Sequence, residues 1–335
     1  MYLSYYGLKR SPFDISPNPE VVFMSDSHQE ALAILRYGVI ERKGFLLLTG
    51  DVGTGKTTLL QLLLKSLGSR VRYCLISNPT LTTNDFYDAV SAGFSFPAYD
   101  GNKARFLRNF AAFLGQCGKR QERVLLIIDE AHVLPVDLLE EIRLLSNQQD
   151  AASGILSVFL VGQPELNQRL SDPRLLPLRQ RIAIRFHLEA FDHDATAGYI
   201  SFRLRQAGAQ RFDLFTTPAL KLTHKATGGV PRLINILCDQ ALLTGFAESR
   251  PVIDEATIRE CVWELHIPGE VELLPLPSRP GFGHIFRQRA GAIVAAGIAL
   301  LLAYGGVWVW LNGWSMQQGD IAQFVRRLFY SWPFI

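Results

Sequence analysis

The sequence is poor in cysteine, and the four it has, Cys74, Cys117, Cys238 and Cys261, lie far apart with no C-x-x-C pair. No histidine stands near any of them at metal-ligand spacing, which argues against both a zinc site and a disulfide framework, and the thiols read as reduced and mostly internal. Also missing is any run of five or more like charges. The net charge of +3 over 335 residues is too small to argue for a nucleic-acid partner, and none is expected. The N-terminus, MYLSYYGLKRSPFDISPNP, lacks an apolar core segment, which argues against a cleaved signal peptide. At this length two or three domains are expected.

What is present centres on Phe45 to Leu60, FLLLTGDVGTGKTTLL. An apolar run leads into a glycine-rich turn and then a leucine-rich helix, the context that a G-x-x-x-x-G-K-[ST] phosphate loop requires. Gly50, Asp51, Val52, Gly53, Thr54, Gly55, Lys56, Thr57 and Thr58 form the candidate cradle. Glycines let the backbone N–H groups wrap a polyphosphate, and the helix opening near Gly55 adds its positive end. Lys56 is expected to reach the β- and γ-phosphates, and the Thr57 hydroxyl to ligate Mg2+.

Four further stretches read as strands, Val71 to Ile76, Val124 to Ile128, Ile155 to Val161 and Ile182 to Leu188, and of these Val124 to Ile128 is a continuous apolar run typical of a strand buried on both faces. The third strand of the five ends in Asp129 and Glu130, where an acidic pair faces the ligand site of a parallel sheet. Asp129 is the expected second group for Mg2+ and Glu130 the general base for the attacking water. His132, which completes the letters of one helicase class, is taken as incidental. Gln163, after the fourth strand, is either a γ-phosphate sensor or a turn residue. Arg181, and less so Arg179, precede an edge strand. There they reach a neighbour's cradle better than their own, unless they serve only as surface ion pairs.

Helical spacing fills the rest: Ser27 with Glu30 as a capping box ahead of Leu32, Leu35 and Val39, then helices over Asp85 to Val90, Lys103 to Leu114 and Asp137 to Leu145. From Ala195 the pattern is helical throughout. Thr217 caps a helix that Gly228 ends, Gly229-Val230-Pro231-Arg232 opens the next, and Asp254 caps the last. Arg232, at the start of a lid helix, is placed either to swing over the phosphates or merely to cap. The aromatic, proline-punctuated residues 1–24 read as an extended arm, with Pro12 and Phe13 as possible borders of an adenine pocket.

The expected organisation is therefore arm 1–24, nucleotide-binding α/β domain 25–192, helical lid 193–265, Pro/Gly-rich linker 266–289, transmembrane helix 290–311 and amphipathic tail 312–335. Gly291 to Trp310 carries no charge in twenty residues, enough for about 30 Å of helix. Tyr304, Trp308 and Trp310 cluster at one end, and Arg287 and Arg289 precede it, which places the N-terminal side in the cytoplasm. Ile321, Phe324, Val325, Leu328 and Phe329 share one helical face in the tail, suited to lying along the same bilayer.

Taken together, GDVGTGKTT, LLIIDEAH, LVGQPEL, LRQRI and GGVPRLINILCD resemble the AAA+ ATPases of the general secretion pathway A type, which also occur in pilus and exopolysaccharide export and have relatives among regulators of transposition. The resemblance covers about Tyr5 to Leu265 and the single span. It implies a P-loop AAA+ α/β fold, a five-stranded parallel sheet with a small all-helical lid and one transmembrane helix. It also implies ATP and Mg2+ as cofactors, hydrolysis of ATP, and assembly into a homo-oligomeric ring. Lys56 and Thr57 match the Walker A residues, Asp129 and Glu130 the Walker B pair, Gln163 sensor 1, Arg181 the arginine finger and Arg232 sensor 2. The expected setting is the bacterial inner membrane, single-pass, with envelope export proteins as partners. Leu311 to Ile335 is too short for a peptidoglycan-binding domain, so peptidoglycan is not carried over. An ATP-dependent DNA-binding regulator and a slowly hydrolysing scaffold are the alternatives.

Overall fold

The computed structural model describes residues 2–14, 22–77, 81–149, 154–211 and 213–267. The linker beyond residue 267, the transmembrane segment and the tail lie outside the described residues. Among the described residues no helix is long and apolar enough to cross a membrane.

In chain order the elements are α1 (Tyr2–Tyr5), α2 (Asp26–Ile40), β1 (Phe45–Gly50), α3 (Lys56–Ser66), β2 (Val71–Ile76), α4 (Thr83–Phe94), α5 (Lys103–Lys119), β3 (Arg123–Ile128), α6 (Val136–Leu145), β4 (Leu156–Gly162), α7 (Glu165–Arg169), α8 (Leu176–Arg181), β5 (Ile182–Leu188), α9 (His193–Gln206), α10 (Thr217–Thr227), α11 (Pro231–Ala247) and α12 (Glu255–Glu264). The five strands form one parallel sheet in the order β2-β3-β4-β1-β5.

Composition explains that order. FLLLTG in β1 and LSVFLVG in β4 are buried at every position, and RVLLII in β3 at all but its first, as inner strands covered on both faces must be. VRYCLI in β2 and IAIRFHL in β5 mix charged and apolar residues and take the edges. Alternate side chains then serve opposite faces. Leu46, Leu48, Leu125, Ile127, Phe159 and Val161 pack beneath Leu35 of α2 and Leu59, Leu60 and Leu63 of α3. Phe45, Leu47, Leu126, Ile128, Val158 and Leu160 pack under α4, α5 and α6 with Phe86, Phe110 and Ile142. The buried thiols Cys74 and Cys261 are both pushed up to about 11 by desolvation, which keeps them protonated core groups.

Helices α9 to α12 enclose a separate core around Ile200, Leu237, Leu242 and Ile258. The N-terminal arm belongs to this core and corrects two expectations. It begins as the short helix α1 where an extended arm was expected, and Phe13 sits 2% exposed in the lid core against Phe215, away from the nucleotide cleft. Polar contacts fasten it there: Tyr2 Oη donates to Asp239 Oδ1 at 2.6 Å, and Arg203 Nη2 to the Asp14 carbonyl at 2.7 Å.

Two caps also move. Ser25, not Ser27, accepts the His28 N–H at the start of α2, and Thr216, not Thr217, caps α10. Each true cap is the residue with extended backbone just outside the first turn. Helices α4 and α5 run longer than expected, α4 starting from a complete Thr82/Asp85 capping box.

Candidate functional site

The carboxyl ends of β1, β3 and β4 lie side by side, so the cradle, Asp129-Glu130 and Gln163 meet at one edge of the sheet. Ligands bind at such an edge in open parallel sheets. β1 ends at Gly50, the loop turns through Gly53 and Gly55 with positive φ, and α3 starts at Lys56. Thr54 is fully buried and braces the loop by donating its hydroxyl to the Asp51 carbonyl at 2.9 Å.

Lys56 is 6% exposed, and its Nζ donates to the carbonyls of Gly50 and Asp51, each at 2.8 Å. Burial lowers its pKa, while Glu130 and Asp129 pull the other way. A buried ammonium whose acceptors are neutral carbonyls is an electrostatic demand for an anion. Next to it, Thr57 Oγ1 donates to Asp129 Oδ2 at 3.0 Å. A hydroxyl and a carboxylate in contact form the hard-oxygen set that fits Mg2+. Glu130 follows with φ of 55°, an uncommon left-handed backbone for a glutamate, and its N–H donates to Asp129 Oδ1 at 2.9 Å.

The lid closes the other side. Pro231 starts α11, and the Arg232 N–H points at the Gly53 carbonyl, 3.4 Å away. Between lid and sheet lies a cleft of about 420 Å³, lined by Lys56, Thr57, Glu130, Gln163 and Arg232 at one end. This is the size of a small-molecule site. Its other end is aromatic: Phe23 packs edge-on to Phe191 at 5.4 Å and to Tyr199 at 5.7 Å. Tyr199 Oη donates to Asn235 Oδ1 at 2.8 Å.

The structure thus brings together Lys56, Thr57, Asp129, Glu130, Gln163 and Arg232. Arg181 stands apart. It closes α8, its Nη1 donates to Ser146 Oγ at 2.7 Å, and it is not among the described residues that line the cleft.

Sequence reasoning missed His28 and took His132 as incidental. His28 Nε2 lies 3.0 Å from the Thr54 carbonyl and Nδ1 lies 2.7 Å from Ser25 Oγ, so the first turn of α2 clamps the cradle from behind. Its one sequence signal was position, a histidine in the helix just before the cradle strand. His132, taken as incidental, sits between Glu130 and Gln163.

Burial lowers the His28 pKa from 6.5, with the Thr54 hydrogen bond opposing, and burial then His193 lower that of His224. Both rings stay neutral in the fold where the unfolded chain would take a proton. Their stability is therefore full above the unfolded value of 6.5 and lost as pH falls toward the folded values. A thermal melt should show Tm falling as pH drops below about 6.5, with a shallower slope in His28→Asn. An identical slope in that variant would remove His28 from this account.

Residues 39–170 match the family model described as AAA domain. General secretion pathway protein A of Aeromonas hydrophila is 39% identical over 320 residues, covering 92% of this chain. The chain spans 54% of that relative's length. Among solved structures, Cdc6p of Pyrobaculum aerophilum is similar with a TM-score of 0.59 at 18% identity, over 76% of this chain and 70% of its own. The ORC2 protein of Aeropyrum pernix, as its ADPNP-ADP complexes, reaches 0.56 at 16% identity, over 76% and 71%. Those two share the fold. With its phosphate loop, acidic strand end and docked lid helix, the chain carries an AAA domain over residues 39–170 and is similar, over 92% of its length, to general secretion pathway protein A.

Proposed function

We propose that the chain binds and hydrolyses ATP and that this work serves a bacterial envelope export system. One observation carries the hydrolytic part: buried Lys56 and the Thr57–Asp129 pair stand beside Glu130, beneath a lid helix that touches the cradle. In this reading Lys56, the cradle N–H groups and Arg232 bind the polyphosphate. Thr57 and Asp129 would hold Mg2+, which would supply neutralisation of charge on the phosphate oxygens. Glu130 takes a proton from the attacking water, and Gln163 hydrogen-bonds the terminal phosphate from the neighbouring strand. Arg181 completes the site of the next subunit in an oligomer.

The export setting rests on the likeness to general secretion pathway protein A. Anchoring in the inner membrane by the uncharged segment Gly291 to Trp310, with the nucleotide domain on the cytoplasmic side, is part of the same proposal. Metal removal tests the chemistry. Phosphate release from ATP should stop when EDTA exceeds Mg2+ and return on adding Mg2+ back. Strong ATP-dependent oligomerisation with negligible phosphate release at saturating Mg2+ would overturn hydrolysis in favour of a scaffold.

A further inference from the structure

After Glu130 the chain makes a tight 3-10 turn, Ala131–Val133, which carries His132 to the end of β4. The ring is largely shielded, its side chain 14% exposed. Nε2 lies 3.0 Å from the side-chain nitrogen of Gln163. Nδ1 lies 3.3 Å from Glu130 Oε2 and 3.4 Å from the backbone nitrogen of Gln163. Room for this comes from position 162, where a Cβ in place of the glycine hydrogen would sit 3.1 Å from His132 N and 3.2 Å from Nδ1.

We propose that His132 is a positioning residue joining Glu130 to Gln163, so that the direction of the Gln163 amide decides whether Glu130 is held or released. The contacts stand by themselves, while their consequence for turnover rests on the ATPase reading above.

The argument lies in the protons. A neutral imidazole carries one N–H, and its other nitrogen can only accept. Nδ1 faces both an acceptor, the Glu130 carboxylate, and a donor, the Gln163 backbone N–H, and it can serve one of them at a time. With the amide nitrogen of Gln163 toward the ring, Nε2 accepts, the proton sits on Nδ1, and Nδ1 donates to Glu130. If Gln163 turns that nitrogen to an anion in the cleft, its oxygen faces Nε2, which must then hold the proton. Bare Nδ1 then accepts from the Gln163 N–H, and Glu130 loses a donor. A carboxylate freed of that donor is free to turn toward a water in the cleft. The ring proton passes between nitrogens by exchange with water, so the change gains and loses none.

Histidine tautomers are readable by nitrogen-15 NMR on the labelled full chain, with His132 assigned from His132→Asn. The expected spectrum shows the Nδ1–H form without nucleotide and a move toward Nε2–H on adding a non-hydrolysable ATP analogue. Gln163→Leu should abolish that move. In the nucleotide-bound arrangement His132 no longer holds Glu130 but its Nε2–H still holds the Gln163 oxygen, so His132→Ala should lower kcat through Gln163, about tenfold, with analogue affinity within about twofold and by less than loss of the base itself. His132→Gln should recover part of the rate, and His132→Ala/Gln163→Ala should be no slower than the slower single variant, because the two act through one contact. An Nε2–H ring without nucleotide, or a tautomer indifferent to Gln163→Leu, overturns the proposal. So does full turnover of His132→Ala where Glu130→Gln is inactive. If the parent and Glu130→Gln release phosphate equally, the ATPase reading falls instead, and the tautomer still decides this one.

Discussion

Glu130→Gln is expected to lower steady-state phosphate release by roughly 10²–10³-fold while ATP still binds, whereas Lys56→Ala should lose binding and turnover together. The two substitutions differ because their surroundings differ. Glu130 has 39% of its side chain exposed, and glutamine keeps its size and hydrogen-bonding reach. What it loses is the capacity to take a proton from water, an interaction made in the transition state and not in the bound complex. Lys56 is buried and braces the loop through the Gly50 and Asp51 carbonyls. Alanine there removes the positive charge and leaves two carbonyls without their donor, so the cradle suffers before any chemistry begins. Equilibrium binding of a fluorescent ATP analogue, run beside a phosphate-release assay, separates the outcomes. Parent-like turnover in both variants would remove Glu130 and Lys56 from the reaction.

The inner sheet and the cradle were legible because their causes are local. A strand buried on both faces has to be apolar throughout, and β1, β3 and β4 are. The cradle needs glycines, a lysine and a threonine at fixed spacing, and a single stretch supplies them. What stayed illegible depended on which distant elements become neighbours. Phe13 was one candidate border of an adenine pocket, but its ring packs on Phe215 in the lid core, 202 positions further along the chain, and only that packing determines where it goes. His132 looked incidental since nothing near it in sequence says that β4 lies beside β3 and ends in a glycine. The displaced caps have a smaller cause. Ser25 and Ser27, like Thr216 and Thr217, put two hydroxyls within reach of one helix start, and the backbone angle chooses between them.

Arg181→Ala should slow turnover by roughly 10³-fold with ATP affinity preserved, the effect of withdrawing an arginine that meets the phosphate only in the transition state. Its position carries the reasoning. It ends α8 immediately before the edge strand β5, and its guanidinium bonds Ser146 Oγ, outside the described lining of its own cleft. Removing one exposed hydrogen bond to a hydroxyl costs little stability, so a large kinetic loss would have to come from a site elsewhere. A second subunit can supply that site, which gives the prediction its sharpest form. Arg181→Ala subunits keep Lys56, and Lys56→Ala subunits keep Arg181. In equal mixtures that assemble at random, about a quarter of interfaces would pair an intact cradle with an intact neighbouring arginine. Activity should therefore reappear in mixtures of two proteins that are each inactive alone, and should peak near equal proportions. Mixtures shown to co-assemble, yet inactive at every ratio, would return Arg181 to the role of a surface arginine.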